Sequence, residues 1–403
     1  MANCLAAQSG GPTPVINAAL AGLLEANNEE KLYDKVYGGL YGIEGILGEK
    51  LVNLIYNPEE NMLLKQTPAA ILGSCRYKLQ DKNEADFIKI LEVMDKYNIE
   101  TFFYIGGNDS MDTVSKLKKY AEKAGINKRF IGLPKTIDND LALTDHSPGY
   151  GSAAKFIASS VLATSYDFNV YTRKDVFIVE TMGRDTGWLA ASAYLNKIPD
   201  ILLLPEDTFN KEKFLNRVEK CLSTNNKCYI VTSEGIKDSD NKSVTSLATE
   251  SGDGFDHITL SGGKAANFLR HIIINEKLSE SCKVQDLGVL QRCFSPSLSK
   301  TDVEESFQIG KAALLASKNP DSTGKMMAIK RNSGKEYNVS FGLVPVEEVA
   351  NKVKYFPKEW ILDDYSGITD GGINYILPLI QGSPDIKYKN GLPVYLKPYY
   401  KFL

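Results

Sequence analysis

Short apolar runs punctuate the chain at Asn3–Ala7, Thr101–Ile105, Arg129–Leu133, Asp175–Glu180, Ile201–Leu204, Cys228–Thr232 and Leu287–Leu290. Each is rich in Ile, Val, Phe or Leu and does not alternate with polar residues, which is the pattern of strands covered on both faces. Between them, apolar residues recur at helical spacing over Val15–Asn27, Asn83–Tyr97, Ser110–Lys123, Gly151–Thr164, Lys211–Leu222 and Ser261–Glu276. Strand and helix in regular succession predict parallel sheets covered by helices. A boundary falls near Tyr150, and Asn319–Gly334 reads as a polar loop. The last seventy residues or so, rich in Tyr, Pro and Gly, carry no clear pattern.

At 403 residues the chain favours two or three compact units over one. Its 47 Lys and Arg against 50 Asp and Glu leave a net charge of −3. Without a basic block, nucleic acid is not expected as a partner. The histidines are His146, His257 and His271, and none of the six cysteines forms a C-x-x-C pair. Neither a zinc site nor a disulfide framework is therefore expected. No basic segment precedes an apolar one at the N-terminus, and no apolar run approaches the ~20 residues of a membrane span. A cytosolic location without a membrane partner is the expectation.

The unusual residues gather where strands end. Gln8–Gly11, Gly106–Ser110, Pro134–Asp140, Thr181–Arg184 and Ser233–Gly235 each follow an apolar run directly, and in open α/β sheets ligands bind beyond the carboxyl ends of the strands. The turn in QSGGPTPVINAAL (Gln8–Leu20) lets backbone N–H groups approach an anion at a helix start, or is a plain tight turn. At GGNDS (Gly106–Ser110), Asp109 and Asp112 fall in the first turn of the following helix, as dipole-complementing acids or as part of a ligand site. In PKTIDND (Pro134–Asp140), Asp138 and Asp140 lie two apart beside Lys135 and Thr136. Such a loop either bonds its own backbone or suits base catalysis beside a metal-bound phosphate. In ETMGRDTG (Glu180–Gly187), Arg184 can hold a phosphate bidentately or end in a surface ion pair. Glu234, Arg292 and Arg76 are uninformative singly.

Taken in order from Gly10 to Arg292, these strings resemble the phosphofructokinase family, and in particular its pyrophosphate-dependent branch. The resemblance implies two domains, each a mainly parallel sheet flanked by helices, with the active site in the cleft between them. A phosphoryl-donor domain would comprise residues 1–145 with about 291–350, and a fructose 6-phosphate domain 146–290 with about 351–403. Asp138 would be the base that takes the proton from the C1 hydroxyl, and Asp140 would position that hydroxyl or a Mg2+ ion. Arg76 would neutralise the phosphoryl group in flight. Thr136, Ile137, Met182, Gly183, Arg184, Glu234, Lys283 and Arg292 would line the sugar-phosphate site, with Arg184 near the developing charge. Gly11 would offer its N–H to the donor. The partners implied are pyrophosphate, fructose 6-phosphate and further copies of the same chain, as a homodimer or homotetramer.

ATP-using members resemble this chain with glycine at the positions of Asp109 and Lys135. An acid and a long ammonium there would fill the space a nucleotide needs and supply a salt-bridged pair, so that pyrophosphate is kept and ATP excluded. The departures from the family pattern are Asn108, an uncharged metal ligand where an aspartate is usual, Asp175 and Lys283 where arginines are usual, and Pro12 in GGPTP. The rivals are an ATP-dependent kinase of the same fold, a non-catalytic sugar-phosphate-binding protein and a nicotinamide-nucleotide kinase. On the first helix, the positions where allosteric relatives carry effector-binding arginines read Ala21 and Glu25, so no anionic effector is expected there. Ile16, Leu20, Leu23 and Leu24 should form that helix's buried stripe.

Overall fold

The computed structural model describes residues 1–244, 263–334 and 336–402. Its strands are, in chain order, β1 (Asn3–Gln8), β2 (Val36–Gly39), β3 (Leu51–Asn53), β4 (Ile99–Gly106), β5 (Arg129–Pro134), β6 (Asp175–Thr181), β7 (Ile201–Leu203), β8 (Lys227–Ser233), β9 (Cys282–Asp286), β10 (Lys325–Arg331) and β11 (Val339–Pro345), followed by a short antiparallel pair, β12 (Tyr388–Lys389) and β13 (Leu392–Pro393). The chain divides into two units. The first comprises Met1–Ser152, Arg292–Val353 and Gly382–Leu403; the second comprises Ala153–Gln291 and Lys354–Gln381.

The first unit is built on a sheet ordered β11-β10-β5-β4-β1-β2-β3. Its interior pairs are parallel, and only the edge strands β3 and β11 run antiparallel to their neighbours. β1 is buried at every residue and β4 at all but one, as their unbroken apolar runs require. The order β5-β4-β1 sets three carboxyl ends side by side, and these are the ends that carry Lys135–Asp140, Gly107–Asp109 and Ser9–Gly11. Helices Ile16–Glu30 and Lys300–Ala316 cover one face and pack backbone to backbone. A Cβ at Gly22 would lie 1.9 Å from the Phe307 carbonyl oxygen, and one at Gly310 would lie 1.9 Å from that of Ala19. The first helix therefore buries not a stripe but nearly its whole surface from Ile16 to Leu24.

The second unit has a four-stranded sheet ordered β7-β8-β6-β9, parallel throughout. Its core joins Val176, Ile178, Ile230, Phe214 and Leu269, which belong to the strands and to helices Lys211–Asn225 and Lys264–Asn275.

The structure corrects the expectation at several places. Leu287–Leu290 is not a strand: the strand is the preceding Cys282–Asp286, and Gly288–Arg292 winds as a 3-10 turn with Gly288 at φ +52°. Val289 and Leu290 are about half exposed, so their apolar character reports nothing about burial. Asn319–Gly334 is not simply a polar loop, because Met326–Ile329 forms the buried centre of β10 between flanking basic residues. Residues 382–402, expected with the second domain, belong to the first unit. The Gln66 side chain donates to Lys387 O and Val394 O and accepts from Lys387 N, while Tyr399 N donates to Ile71 O. The start of the helix expected from Ser261 lies outside the described residues; its described part is Lys264–Asn275.

Candidate active site

In the first unit the turn after β1 is tied to the segment that ends at Arg76. Gly10 N donates to Cys75 O at 3.0 Å, and Ser74 Oγ donates to Gly10 O at 2.6 Å. Gly10 has φ +75°, a conformation that an L side chain resists. Lys135, at the end of β5, is 3% exposed and donates from Nζ to Gly11 O at 2.5 Å. A Cβ at Gly11 would sit 3.4 Å from an Arg292 Nη, and one at Gly10 3.4 Å from the Lys135 ammonium. Two cations thus converge on the Gly10–Gly11 turn.

Burial pushes the Lys135 ammonium down to about 8; Asp138 and Asp140 act to raise it, and Arg292 and Arg76 to lower it further. These influences place all four charged groups around one buried amine. Such a cation, held beside two others with only carboxylates to offset it, is stabilised when an anion enters. Thr136, Asp138 and Asp140 are half-buried, whereas Ile137 is buried, so any contact of Ile137 with a ligand would come from its backbone. The loop is internally braced: Asp138 N donates to Thr136 Oγ1 at 3.1 Å, and Thr136 N donates to Pro148 O at 3.2 Å. Arg76 is exposed.

Two expected roles change at Gly107–Asp109. Asp109 does not pair with Lys135. It is exposed and its Oδ1 lies 2.8 Å from the Lys78 ammonium, while Lys135 turns inward to Gly11. The Asn108 amide is engaged by the chain itself: Nδ2 donates to Lys352 O at 2.6 Å, and Oδ1 accepts from Asn351 N. An amide held at both ends is a poor candidate for the metal ligand it was expected to be.

In the second unit the turn after β6 is equally constrained. Gly183 has φ +121°, and a Cβ there would lie 2.6 Å from Thr186 O. Its N–H donates to Glu234 Oε1 at 3.3 Å and its carbonyl accepts from Ser233 Oγ, so Met182–Arg184 and Glu234 meet at the ends of neighbouring strands. A Cβ at Gly235 would fall 1.8 Å from the Arg184 carbonyl oxygen, which restricts position 235 to glycine. The Arg184 and Glu234 side chains are exposed. Lys283 is not brought to this turn. It lies within β9, opposite Phe177 rather than the strand's carboxyl end, and is exposed. Asp175 is buried and accepts from its neighbour Val176 N.

Several supporting residues escaped sequence reasoning. Buried Gln291 accepts from Met182 N at 3.1 Å and donates to Gly288 O at 3.0 Å. Glu180 is buried at the end of β6 and accepts from Ala266 N at 2.6 Å; burial pushes its carboxyl up to about 7 against that bond, and Asp286 and Glu234 add to the rise. In the first unit, Asp302 accepts from Gly149 N and Ser152 N, both at 2.9 Å, and so caps the helix Tyr150–Phe168. A readable signal existed only for Asp302, in the Ser299-x-x-Asp302 spacing of a helix start; Ser299 Oγ does accept from Asp302 N.

Residues 3–314 match the model of the family described as Phosphofructokinase. A relative from Halomonas elongata named pyrophosphate--fructose 6-phosphate 1-phosphotransferase is 38% identical over 97% of this chain and 94% of its own. One of the same name from Methylococcus capsulatus is 37% identical over 98% and 95%. Among solved structures, a pyrophosphate-dependent phosphofructokinase from Nitrosospira multiformis superposes with a TM-score of 0.88 at 36% identity, covering 98% of this chain and 96% of that one.

Proposed function

The chain belongs to the phosphofructokinase family, and we propose that within it the protein moves a phosphoryl group from pyrophosphate to the C1 hydroxyl of fructose 6-phosphate. The products are fructose 1,6-bisphosphate and phosphate, and the reaction is reversible. The observation that carries the donor assignment is the buried Lys135 ammonium at the Gly10–Gly11 turn. Where ATP-using relatives resemble this chain with a glycine, a compact point charge fills the space and, beyond its bond to Gly11 O, keeps two donors for a terminal phosphate. Asp109 then disfavours a nucleotide by occupying the position where those relatives resemble this chain with a second glycine, its carboxylate paired with Lys78 and not with Lys135.

Asp138 takes the proton of the attacking hydroxyl. Lys135, Arg76, Arg184 and Arg292 oppose the charge on the transferring group and its oxygens, the main requirement of phosphoryl transfer. Arg292, expected on the sugar phosphate, lies against Gly11, which supports a role toward the donor as well. Glu234 and the backbone of Met182–Arg184 receive sugar hydroxyls.

The donor set fits magnesium brought in with pyrophosphate. No group of three or more His, Cys, Asp or Glu suited to a metal occurs among the described residues, and Mg2+ is content with one or two carboxylates plus substrate phosphate oxygens. Asp140 is the residue that would hold it. When bound, the ion neutralises phosphoryl charge.

A homo-oligomer is supported by the weak sugar-phosphate set of a single chain, with Lys283 in mid-strand and Asp175 buried: a neighbour's basic residues would complete it. No helix among the described residues is long and apolar enough to cross a membrane. Initial rates with Mg2+ and fructose 6-phosphate, comparing pyrophosphate with ATP, test the assignment. Pyrophosphate should be the better donor by a factor on the order of 10² or more, and a preference for ATP would defeat it.

A further inference from the structure

Behind the loop that carries Asp138 and Asp140, the first unit holds a chain of charged groups that the chemistry above leaves unused. His146 is 1% exposed. Its Nδ1 lies 2.8 Å from Asp145 Oδ1 and its Nε2 2.5 Å from Glu305 Oε2. Neutral imidazole has one N–H, so two ionised carboxylates at the ring nitrogens are both satisfied when the ring is an imidazolium and donates from each nitrogen. The outer ends are held in turn. Tyr337 Oη donates to Glu305 Oε1 at 2.7 Å, and Arg331 donates to Asp145 Oδ1 from Nε at 3.2 Å, with a second nitrogen 3.0 Å away. One buried ring thereby joins the segment after β5 to helix Lys300–Ala316, to β10 and to the approach to β11.

The residues that follow His146 hold the catalytic turn. Ser147 N donates to Asn139 Oδ1 at 3.0 Å, and Pro148 O accepts from Thr136 N at 3.2 Å. Asn139, between the two aspartates, is fully buried in the left-handed region at φ +54°, a conformation that persists where its surroundings impose it. The bond from Ser147 is part of that surrounding. Movement of His146 would pass directly to Ser147 and from there to Asn139.

We propose that His146 is a positioning residue for phosphoryl transfer: clamped between Asp145 and Glu305, it fixes the Ser147–Pro148 segment that sets the conformation of Thr136–Asp140. The inference rests on the reading of Asp138 as the base. A histidine that merely filled the core would need neither two carboxylates nor their tyrosine and arginine anchors.

His146→Gln keeps one donor and much of the volume, and Tyr337→Phe removes a single hydroxyl from the far end. Each is compared with wild type and with Asp138→Ala in two measurements. In steady-state kinetics His146→Gln should lower kcat tenfold to a hundredfold, with both KM values within about threefold, and Tyr337→Phe should shift kcat the same way by about two- to fivefold. In hydrogen exchange, amides at 136–140 should exchange at least tenfold faster in His146→Gln, the loss expected for one charge-assisted bond, while those of β4 stay unchanged. A kcat within twofold of wild type with unchanged exchange at 136–140 overturns the proposal, as does faster exchange spread evenly over the unit. Should wild type fail to transfer phosphate, the reading of the site is at fault, and exchange at 136–140 alone decides whether the clamp exists. Should His146→Gln not fold, Tyr337→Phe decides by the same two measurements, with exchange at 136–140 expected to rise at least twofold.

Discussion

Replacing Lys135 by methionine should strengthen the fold while removing the activity. The substitution keeps an unbranched side chain of similar reach and deletes the charge. In the folded protein burial holds the ammonium near 8 rather than 10.5, and at ~1.4 kcal/mol per pH unit the charged form costs the fold about 3 kcal/mol at neutral pH. Loss of the bond to Gly11 O offsets roughly 1–2 kcal/mol of this, so Lys135→Met should gain about 1–2 kcal/mol at pH 7. Because the folded state deprotonates first, the unfolded chain binds more protons between pH 8 and 10.5. Wild-type stability therefore rises across that window relative to the variant, and the variant's advantage should disappear by its upper end. Urea midpoints from pH 7 to 10.5 measure this directly. Activity should move the other way. Loss of the cation lowers kcat/KM for pyrophosphate by about 10²–10³, the scale of one preorganised donor to a developing anion. In wild type, kcat/KM should decline as pH rises through about 8. A variant less stable than wild type at pH 7, or one retaining a third of its pyrophosphate activity, refutes the reasoning.

Asp138→Ala should lower kcat by a factor on the order of 10²–10⁴ with pyrophosphate binding retained in calorimetry; a variant keeping more than about a third of the rate removes Asp138 from the mechanism. Because Asp109 pairs with Lys78 and not with Lys135, the effects of Asp109→Gly and Lys135→Gly on pyrophosphate kcat/KM should add to within about 0.5 kcal/mol, and a larger coupling in the double-mutant cycle would show a contact the structure lacks. Saturation by fructose 6-phosphate should be hyperbolic and insensitive to ADP or phosphoenolpyruvate. Ala21 is buried and Glu25 is 3.4 Å from Lys311, so neither presents a cation to an anionic effector, and sigmoidal kinetics relieved by millimolar ADP would contradict this.

The parallel strands were legible because burial on both faces leaves an uninterrupted apolar run, as in β1 and β4. β10 was missed for the converse reason. Its four apolar residues are framed by Lys325, Lys330 and Arg331, which is little to set against a loop. Leu287–Leu290 misled because Val289 and Leu290, though apolar, stay about half exposed. At the site, the sequence showed which residues follow strand ends but not where a side chain turns. Lys135 lies in the loop after β5 and Asp109 in the first turn of helix Asn108–Lys123, and only packing decides that the first points inward to Gly11 and the second outward to Lys78. Asn108 is similar, since its partners Asn351 and Lys352 are more than two hundred residues away along the chain. The His146 clamp joins residues as distant as Asp145 and Arg331, and no local spacing announces it.

In the proposed reaction pyrophosphate itself supplies the transferred group. Phosphorus NMR of enzyme with Mg2+, pyrophosphate and fructose 6-phosphate, and no nucleotide, tests it most directly. Pyrophosphate should disappear as orthophosphate and fructose 1,6-bisphosphate appear in equal amounts. Pyrophosphate left intact, or hydrolysed to orthophosphate without the bisphosphate, would contradict it.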